Sequence, residues 1–366
     1  MNTMKKLLKS VTILSIIFAL ASCNKKEDSE LLVIPVDTDL DYSLPLSEIA
    51  DDIKAIELEL TDKSLISMAR RVLYCDNYII VAELRKIMLF NENGKFIRQI
   101  GSEGQGPGEF ASVSDIAINI EKKLLFVVDY SGKLICYDFD GHLTKESSLS
   151  SYGSIKYMNY ISNELMFISE YAENGADGFS NRSILYKATD DLQITDSVDI
   201  WKVNLPKAVF MNQPFKDFIS HDGKNTYLYN SEIAPLPAPV LDTLYQVNGN
   251  QLVPNLKFDF KCGANAISGE KNIGIVNVFR SSRFVFSNYR NNIKEETFFF
   301  CYDTKTNTGY NMQDGYTDDI NKTPRKVAIR PFSSNAEKFY YLYTNMDNAV
   351  NLEEPNPTLY IGTLKK

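Results

Sequence analysis

The chain repeats itself, and that repeat limits its fold more than any other feature. Lys86-Ile-Met-Leu-Phe90-Asn-Glu-Asn-Gly94-Lys-Phe96 aligns with Lys133-Leu-Ile-Cys-Tyr137-Asp-Phe-Asp-Gly141-His-Leu143 at a constant offset of 47 residues. Each copy reads as a strand, a tight turn closed by glycine and a returning strand, with glycine supplying the positive φ that such turns need. The apolar-plus-aromatic pair in the strand recurs as Leu89-Phe90, Cys136-Tyr137, Leu185-Tyr186, Leu244-Tyr245, Cys301-Tyr302 and Leu359-Tyr360. The aromatic spacings are 47, 49, 59, 57 and 58, a mean of (360 − 90)/5 = 54. A period near 50 residues, filled by about four short strands, is that of a propeller blade. The 366 residues could hold two or three domains on length alone. Six copies instead predict one all-β domain over residues 48–366, a six-bladed β-propeller with four antiparallel strands per blade.

Such a ring has to close. The sixth copy of the third strand, Thr358 to Leu364, is followed only by Lys365-Lys366, so the last blade lacks its outermost strand. The strand-like run Ile53 to Leu60 has no blade of its own. It is expected to complete the sixth blade, which also covers an edge that would invite aggregation.

The start of the chain reads as an address. Lys5, Lys6 and Lys9 precede an apolar run from Val11 to Leu20, too short for a membrane span, in the manner of a secretory leader. The sequence Leu20-Ala-Ser-Cys23 resembles the bacterial lipobox, which implies cleavage after residue 22 and lipid, palmitate included, on Cys23. The expected division is therefore a signal peptide over 1–22, a lipid anchor and tether over 23–47, and the propeller over 48–366. Several acyl chains anchor stably where one would not. Within the tether, Glu27-Asp-Ser-Glu30 resembles surface-export signals of lipoproteins and reads equally well as a solvated linker. Losing three lysines with the leader moves the net charge from −8 to −11. An acidic chain lacks the basic footprint that nucleic-acid binding requires.

A named resemblance follows from Gly101-Ser-Glu-Gly104-Gln-Gly106-Pro-Gly108-Glu-Phe110, then Ile116-Ala-Ile and Leu125-Phe-Val-Val-Asp129, which look like an NHL repeat. The wider segment from Leu46 to Leu149 resembles the six-bladed β-propeller lipoproteins of gut-type Gram-negative bacteria. That resemblance implies a propeller fold and a lipid anchor, and it supplies no defined activity; the expected location is the outer membrane, with exposure at the cell surface left open.

Chemistry-bearing motifs are sparse. The glycine-rich stretch Gly101 to Gly108 lacks the lysine and Ser/Thr of a phosphate loop and reads as a blade-to-blade crossover. Asp138-Phe-Asp140-Gly141 hints at calcium, but its repeat-mate Asn91 to Gly94 occupies the same turn, so turn chemistry accounts for both. There is no G-x-S-x-G and no C-x-x-C, and the two histidines, His142 and His221, read as surface and hairpin-tip residues. No catalytic residue, metal ligand or cofactor is assigned. Apart from Cys23, the cysteines Cys75, Cys136, Cys262 and Cys301 are expected mainly as buried thiols, with a disulfide left open.

Connection lengths say more. Turns between first and second strands and between third and fourth lie on one face of a propeller, and here they are short: Glu121 to Lys123, Ser162-Asn163, Ser281-Ser282 and Asn248 to Asn250. The long connections belong to the other face: Glu170 to Asn181, Trp201 to Pro214, Ser231 to Pro239, Asp259 to Asn272, Asn288 to Ile293, Asp314 to Thr323 and Asn345 to Pro357. Insertions gathered on one face mark it for binding. Tyr171, Trp201, Tyr289, Arg290 and Tyr316 are the candidate ligand-binding residues, being of the kinds enriched at recognition sites. The expected function is a membrane-anchored, non-enzymatic binding or scaffold module for a protein or glycan partner, with no nucleic acid. The alternative is a propeller hydrolase or lactonase-like enzyme, which would need carboxylates and an asparagine converging at the channel mouth.

Overall fold

The computed structural model describes residues 31–75, 77–175, 178–208, 217–230, 242–260, 272–345 and 355–366. The expected leader, Cys23, the polar stretch 24–30, Cys262 and all of Ser231 to Pro239 lie outside them, as do most of Asp259 to Asn272 and Asn345 to Pro357 and residues 209–214 of the Trp201 to Pro214 connection. Six blades follow one another along the chain, each with four antiparallel strands: 71–99, 113–148, 154–205, 219–260 (whose sheet gains a fifth strand), 273–313, and 330–364 completed by a strand from 50–57. The chain is a six-bladed β-propeller.

The repeat read from the sequence is the third strand of every blade. Its six pairs fall in Ile87–Asn91, Lys133–Asp138, Gly178–Ala188, Thr243–Asn248, Glu296–Asp303 and Thr358–Leu364. In all six the apolar member is at most 2% exposed. Apolar side chains there fill wedges between neighbouring blades, so the core is divided rather than central. One wedge joins Ile80 and Leu89 of blade one to Ile116 and Tyr137 of blade two, and another joins Phe126 of blade two to Phe167 of blade three. Cys75, Cys136 and Cys301 are buried thiols that form no disulfide with one another, and burial pushes the Cys136 and Cys301 thiols up.

Ring closure follows the expected plan with a shifted boundary. The closing strand is Ala50–Glu57, antiparallel to Thr358–Leu364 with Ile53 opposite Gly362 and Glu57 opposite Thr358. It begins three residues before the expected Ile53, because Leu46–Ile49 forms one helical turn that buries Leu46 and Ile49 and feeds directly into the strand.

The chain before residue 48 contributes to the fold as well. Leu32–Val36 is a fifth strand outside blade four, next to Gln251–Phe260. Its pattern is alternating, with Ile34 and Val36 buried and Val33 and Pro35 exposed, and proline is tolerated because an outermost strand has a free edge. The segment then runs along blade five. The Tyr42 amide donates to the Asn311 carbonyl at 2.7 Å, and the Gln313 amide donates to Asp41 Oδ1 at 3.0 Å. Leu46 and Thr317 bond through their backbones before the closing strand begins. The stretch expected to be tether thus holds an ordered belt from residue 32 onward. Polarity and charge read residues 24–30 as tether, whereas the apolar alternation that starts at Leu32 belongs to a strand.

Two further expectations change in form. Glu170 to Asn181 is mostly strand, not loop: Glu164–Gly175 and Gly178–Ala188 stay paired out to Gly175 opposite Gly178, so the ladder extends along the described part of the overhang. Asn288 to Ile293 is likewise mostly strand, which runs to Asn291, where Asn291 Oδ1 accepts the amides of Ile293 and Lys294 to close the turn.

Closure makes one glycine critical. Gly94, with φ 79°, packs its turn beneath the closing strand, and a Cβ there would collide with the Glu57 carbonyl oxygen. Gly223 has a similar φ of 89° with nothing within 4 Å of an added Cβ. Gly223→Ala is expected to cost about 1 kcal/mol, the conformational term alone. Gly94→Ala should cost at least about 2 kcal/mol more, since the closing strand must move. Urea denaturation of both variants measures the difference.

Candidate functional site

The first strand of each blade lines the central channel. On these strands or just before them the blades supply buried or half-buried polar side chains: Arg71, Asp115, Tyr157, Asp217, Asn277 and Arg330. Arg71, Asp115, Tyr157, Asp217 and Asn277 are all at most 6% exposed. Buried polar groups are costly unless paired, and these pair across the ring. Arg330 Nε donates to Asp217 Oδ2 at 3.0 Å and its Nη2 to Asp217 Oδ1 at 3.2 Å, a bidentate contact between blades six and four. Arg330 Nη1 also donates to the Arg70 carbonyl of blade one at 2.9 Å.

Arg71 Nη2 donates to Tyr157 Oη and to Ser333 Oγ, each at 3.1 Å, and its guanidinium stands 4.5 Å from the centre of the Tyr157 ring. Tyr157 Oη donates in turn to Ser333 Oγ at 2.7 Å. The Met158 amide donates to Asp115 Oδ2 at 2.6 Å, and the Asp217 amide to Asn277 Oδ1 at 3.2 Å. Two guanidiniums thus face two carboxylates. Burial alone would depress the pKa of Arg71, but Tyr157, Asp115 and Asp217 outweigh it and hold Arg71 firmly charged. Arg330 is held charged in the same way by Asp217 and Tyr340 against the opposing effects of burial and of Arg71. The channel is plugged by a charge-balanced network.

A cleft of about 540 Å³ opens beside this plug, between blades five, six and one, with Asp217 and Arg330 in its lining. Its walls identify its face. Met68 and Ala69 belong to the crossover entering blade one, Ala328 to the crossover entering blade six, and Leu342 and Pro357 flank the second-to-third connection of blade six. The cleft therefore lies on the face expected to carry recognition. Its lip is preformed: Glu83 Oε1 accepts the amides of Ser67 at 2.5 Å and Met68 at 2.7 Å, and Asn356 Oδ1 accepts the Ile66 amide at 2.8 Å. Met68 stands 55% exposed at the mouth.

The residues singled out from sequence do not converge. Tyr171 lies on the blade-three hairpin, half-buried, with its hydroxyl 2.6 Å from that of Tyr186. Trp201 is half-buried on the outer strand of blade three, and its indole nitrogen has no partner among the described residues. Arg290 is exposed beside the blade-five turn. Tyr289 and Tyr316 are core residues instead. Tyr289 is 0% exposed, stacks on Phe298 with centroids 5.4 Å apart and donates to Asn311 Oδ1 at 2.7 Å. Tyr316 is 1% exposed, its backbone paired with Val327 and its ring beside Phe286 and Phe299. Both lie near connections, but their rings point into the wedge between blades. Cys23 lies outside the described residues.

Sequence reading missed the channel residues, although a signal exists. Arg71 heads an apolar first strand, and Asp115, Asp217 and Arg330 each interrupt a comparable run at a comparable place.

The other motifs resolve as local structure. Gly101 to Gly108 is a crossover in which Glu109 Oε2 accepts the Gly106 amide, and Lys133 Nζ donates to the carbonyls of Gly106 and Glu109. Asp138 Oδ1 accepts the His142 amide just as Asn91 Oδ1 accepts that of Lys95, so both turns are closed the same way. Among the described residues, no group of three or more His, Cys, Asp or Glu stands close enough to hold a metal ion.

Fold and site together define a six-bladed propeller with a polar axial plug and a lateral cleft on the crossover face. The chain belongs to the family described as "Domain of unknown function (DUF4934)", whose profile matches residues 31–365. No curated protein matches. Among solved structures, the chain is similar to a protein of Bacteroides fragilis NCTC 9343 named only as inferred to be exported. The TM-score is 0.62 at 18% identity, covering 92% of this chain and 100% of that one. It also matches the β-propeller domain of Cps50 (Swd1) from Myceliophteria thermophila, with TM-score 0.41 and 9% identity over 86% of this chain and 100% of that one. The RRP9 WD40 repeats match with TM-score 0.41 and 10% identity over 87% and 99%.

The plug makes a quantitative prediction. Asp217→Asn strands a buried guanidinium and should cost about 3–5 kcal/mol in urea denaturation. Adding Arg330→Met should restore part of that loss. Asp199→Asn, which breaks the partly exposed pair with Arg182, should cost less than about 1 kcal/mol.

Proposed function

We propose that the chain is a lipid-anchored, extracytoplasmic binding module that takes a protein or glycan partner on the crossover face of its propeller. The observation that carries this reading is the one-sided construction of the ring. The preformed cleft, the blade-three overhang and the exposed Arg290 share the crossover face, whereas the opposite face carries short turns such as Ser162-Asn163. A rigid scaffold with elaborated connections on one side is a common arrangement for recognition. Support for the location comes from the leader and the Leu20 to Cys23 motif, together with the name of the Bacteroides fragilis relative in fold. The enzymatic alternative gains no specific support, because the two channel carboxylates at the axis are engaged by guanidiniums and backbone amides.

Two experiments test the two halves of the proposal. In cells fed labelled palmitate, the wild-type chain should carry the label and pellet with membranes, and Cys23→Ala should lose both properties. Protease shaving of intact cells then reports whether the propeller faces the medium. For recognition, the chain from residue 24 onward is screened against glycan arrays and surface-protein libraries. A variant in which residues 172–181 are replaced by Asn-Gly should lose at least ten-fold in affinity for any partner found. Gly223→Asn on the short-turn face should leave that affinity unchanged. Equal binding by the hairpin variant and wild type would count against the crossover face.

A further inference from the structure

We infer that the cleft between blades five, six and one is a pocket for an uncharged amphipathic small molecule, with an apolar ring or chain and one amide, amine or hydroxyl group. The inference rests on the crossover face being the binding face and names the chemistry that its cleft accepts.

The volume of about 540 Å³ falls within the range of roughly 300–1,000 Å³ typical of small-molecule pockets. Among the described residues lining it, only Asp217 and Arg330 are charged, and each neutralises the other through two hydrogen bonds. A charged ligand would therefore shed its water without gaining a counter-charge, and this penalty selects for neutral molecules.

The apolar part of the lining includes Met68, Phe299 and Leu342. Met68, more than half exposed at a lip held by Glu83 and Asn356, supplies an adaptable thioether where an apolar group would enter. The polar part is equally specific. Asn288 and Thr297 sit on adjacent strands of blade five and both line the cleft. Neither side chain has a hydrogen-bond partner among the described residues, whereas Asn277 alongside already accepts the Asp217 amide. An amide and a hydroxyl left unpaired beside an apolar wall are matched by one polar group on an otherwise apolar ligand.

The test uses the chain from residue 24 onward, which contains every described element. N-phenyl-1-naphthylamine, an uncharged aromatic amine with one N–H, is titrated by fluorescence beside its sulfonated analogue 8-anilinonaphthalene-1-sulfonate. The amine should bind saturably at one site, and the sulfonate at least ten-fold more weakly. Thr297→Trp, a substitution at an exposed position that fills the cleft, should weaken amine binding at least ten-fold. Glu173→Trp on the blade-three hairpin should leave it unchanged. Asn288→Leu should weaken it three-fold or more, and circular dichroism melting verifies that each variant is folded. Equal affinity for amine and sulfonate would overturn the assignment, as would binding indifferent to Thr297→Trp. If the amine binds as expected but the hairpin variant still captures its macromolecular partner, the pocket stands and the crossover-face reading fails. Partner capture without any saturable amine site overturns the pocket alone.

Discussion

Six sheets converging on an axis leave a space too narrow for a conventional apolar core and too dry for unpaired polar groups. The ring meets this constraint with a buried network in which Arg71 and Arg330 reach from blades one and six to partners in blades three and four. The contacts are not between adjacent blades alone. Arg330 spans to blade four and also grips the backbone of blade one, so each guanidinium fastens parts of the ring that the wedges of apolar side chains do not connect. The wedges hold neighbouring blades together, and the axial network fixes how all six meet. Removing one partner costs more than a local bond because it leaves a charge where water cannot reach it.

How legible this was in the sequence depends on whether a residue's job is repeated. Leu89, Cys136, Leu185, Leu244, Cys301 and Leu359 all do the same thing, filling the wedge from a third strand, so their spacing revealed the blade count and the closure. The axial residues also come from the first-strand region of each blade, but at different positions and with different chemistry: a cation, a carboxylate, a phenol, an amide. No one residue type recurs in all six blades, and the network is invisible until the ring brings residues as distant as Arg71 and Ser333 within 3.1 Å. Tyr289 and Tyr316 illustrate the opposite error. Both lie near long connections, where aromatic residues read as recognition groups, yet Tyr289 faces inward from its strand and Tyr316, bridged to Val327, packs against Phe286 and Phe299. Proximity to a connection does not determine which way a side chain points. The cleft was legible only as a face, because its walls come from four separate stretches of chain.

The segment between residues 32 and 57 plays two roles that composition alone did not separate. Its first strand covers the outer edge of blade four and its last completes blade six, with hydrogen bonds to blade five between them. Exposed sheet edges are sites of unwanted pairing, and a single stretch of chain protects two of them.

That arrangement also sets an order of events. Ala50 pairs with Leu364, so the strand synthesised near the beginning waits for a partner 364 − 50 = 314 residues later. Contacts this distant in sequence form slowly, since the intervening chain must be delivered before they can stabilise anything. Blade six therefore stays incomplete until Thr358–Leu364 is in place between its two partner strands, which makes sealing of the ring a late, long-range step.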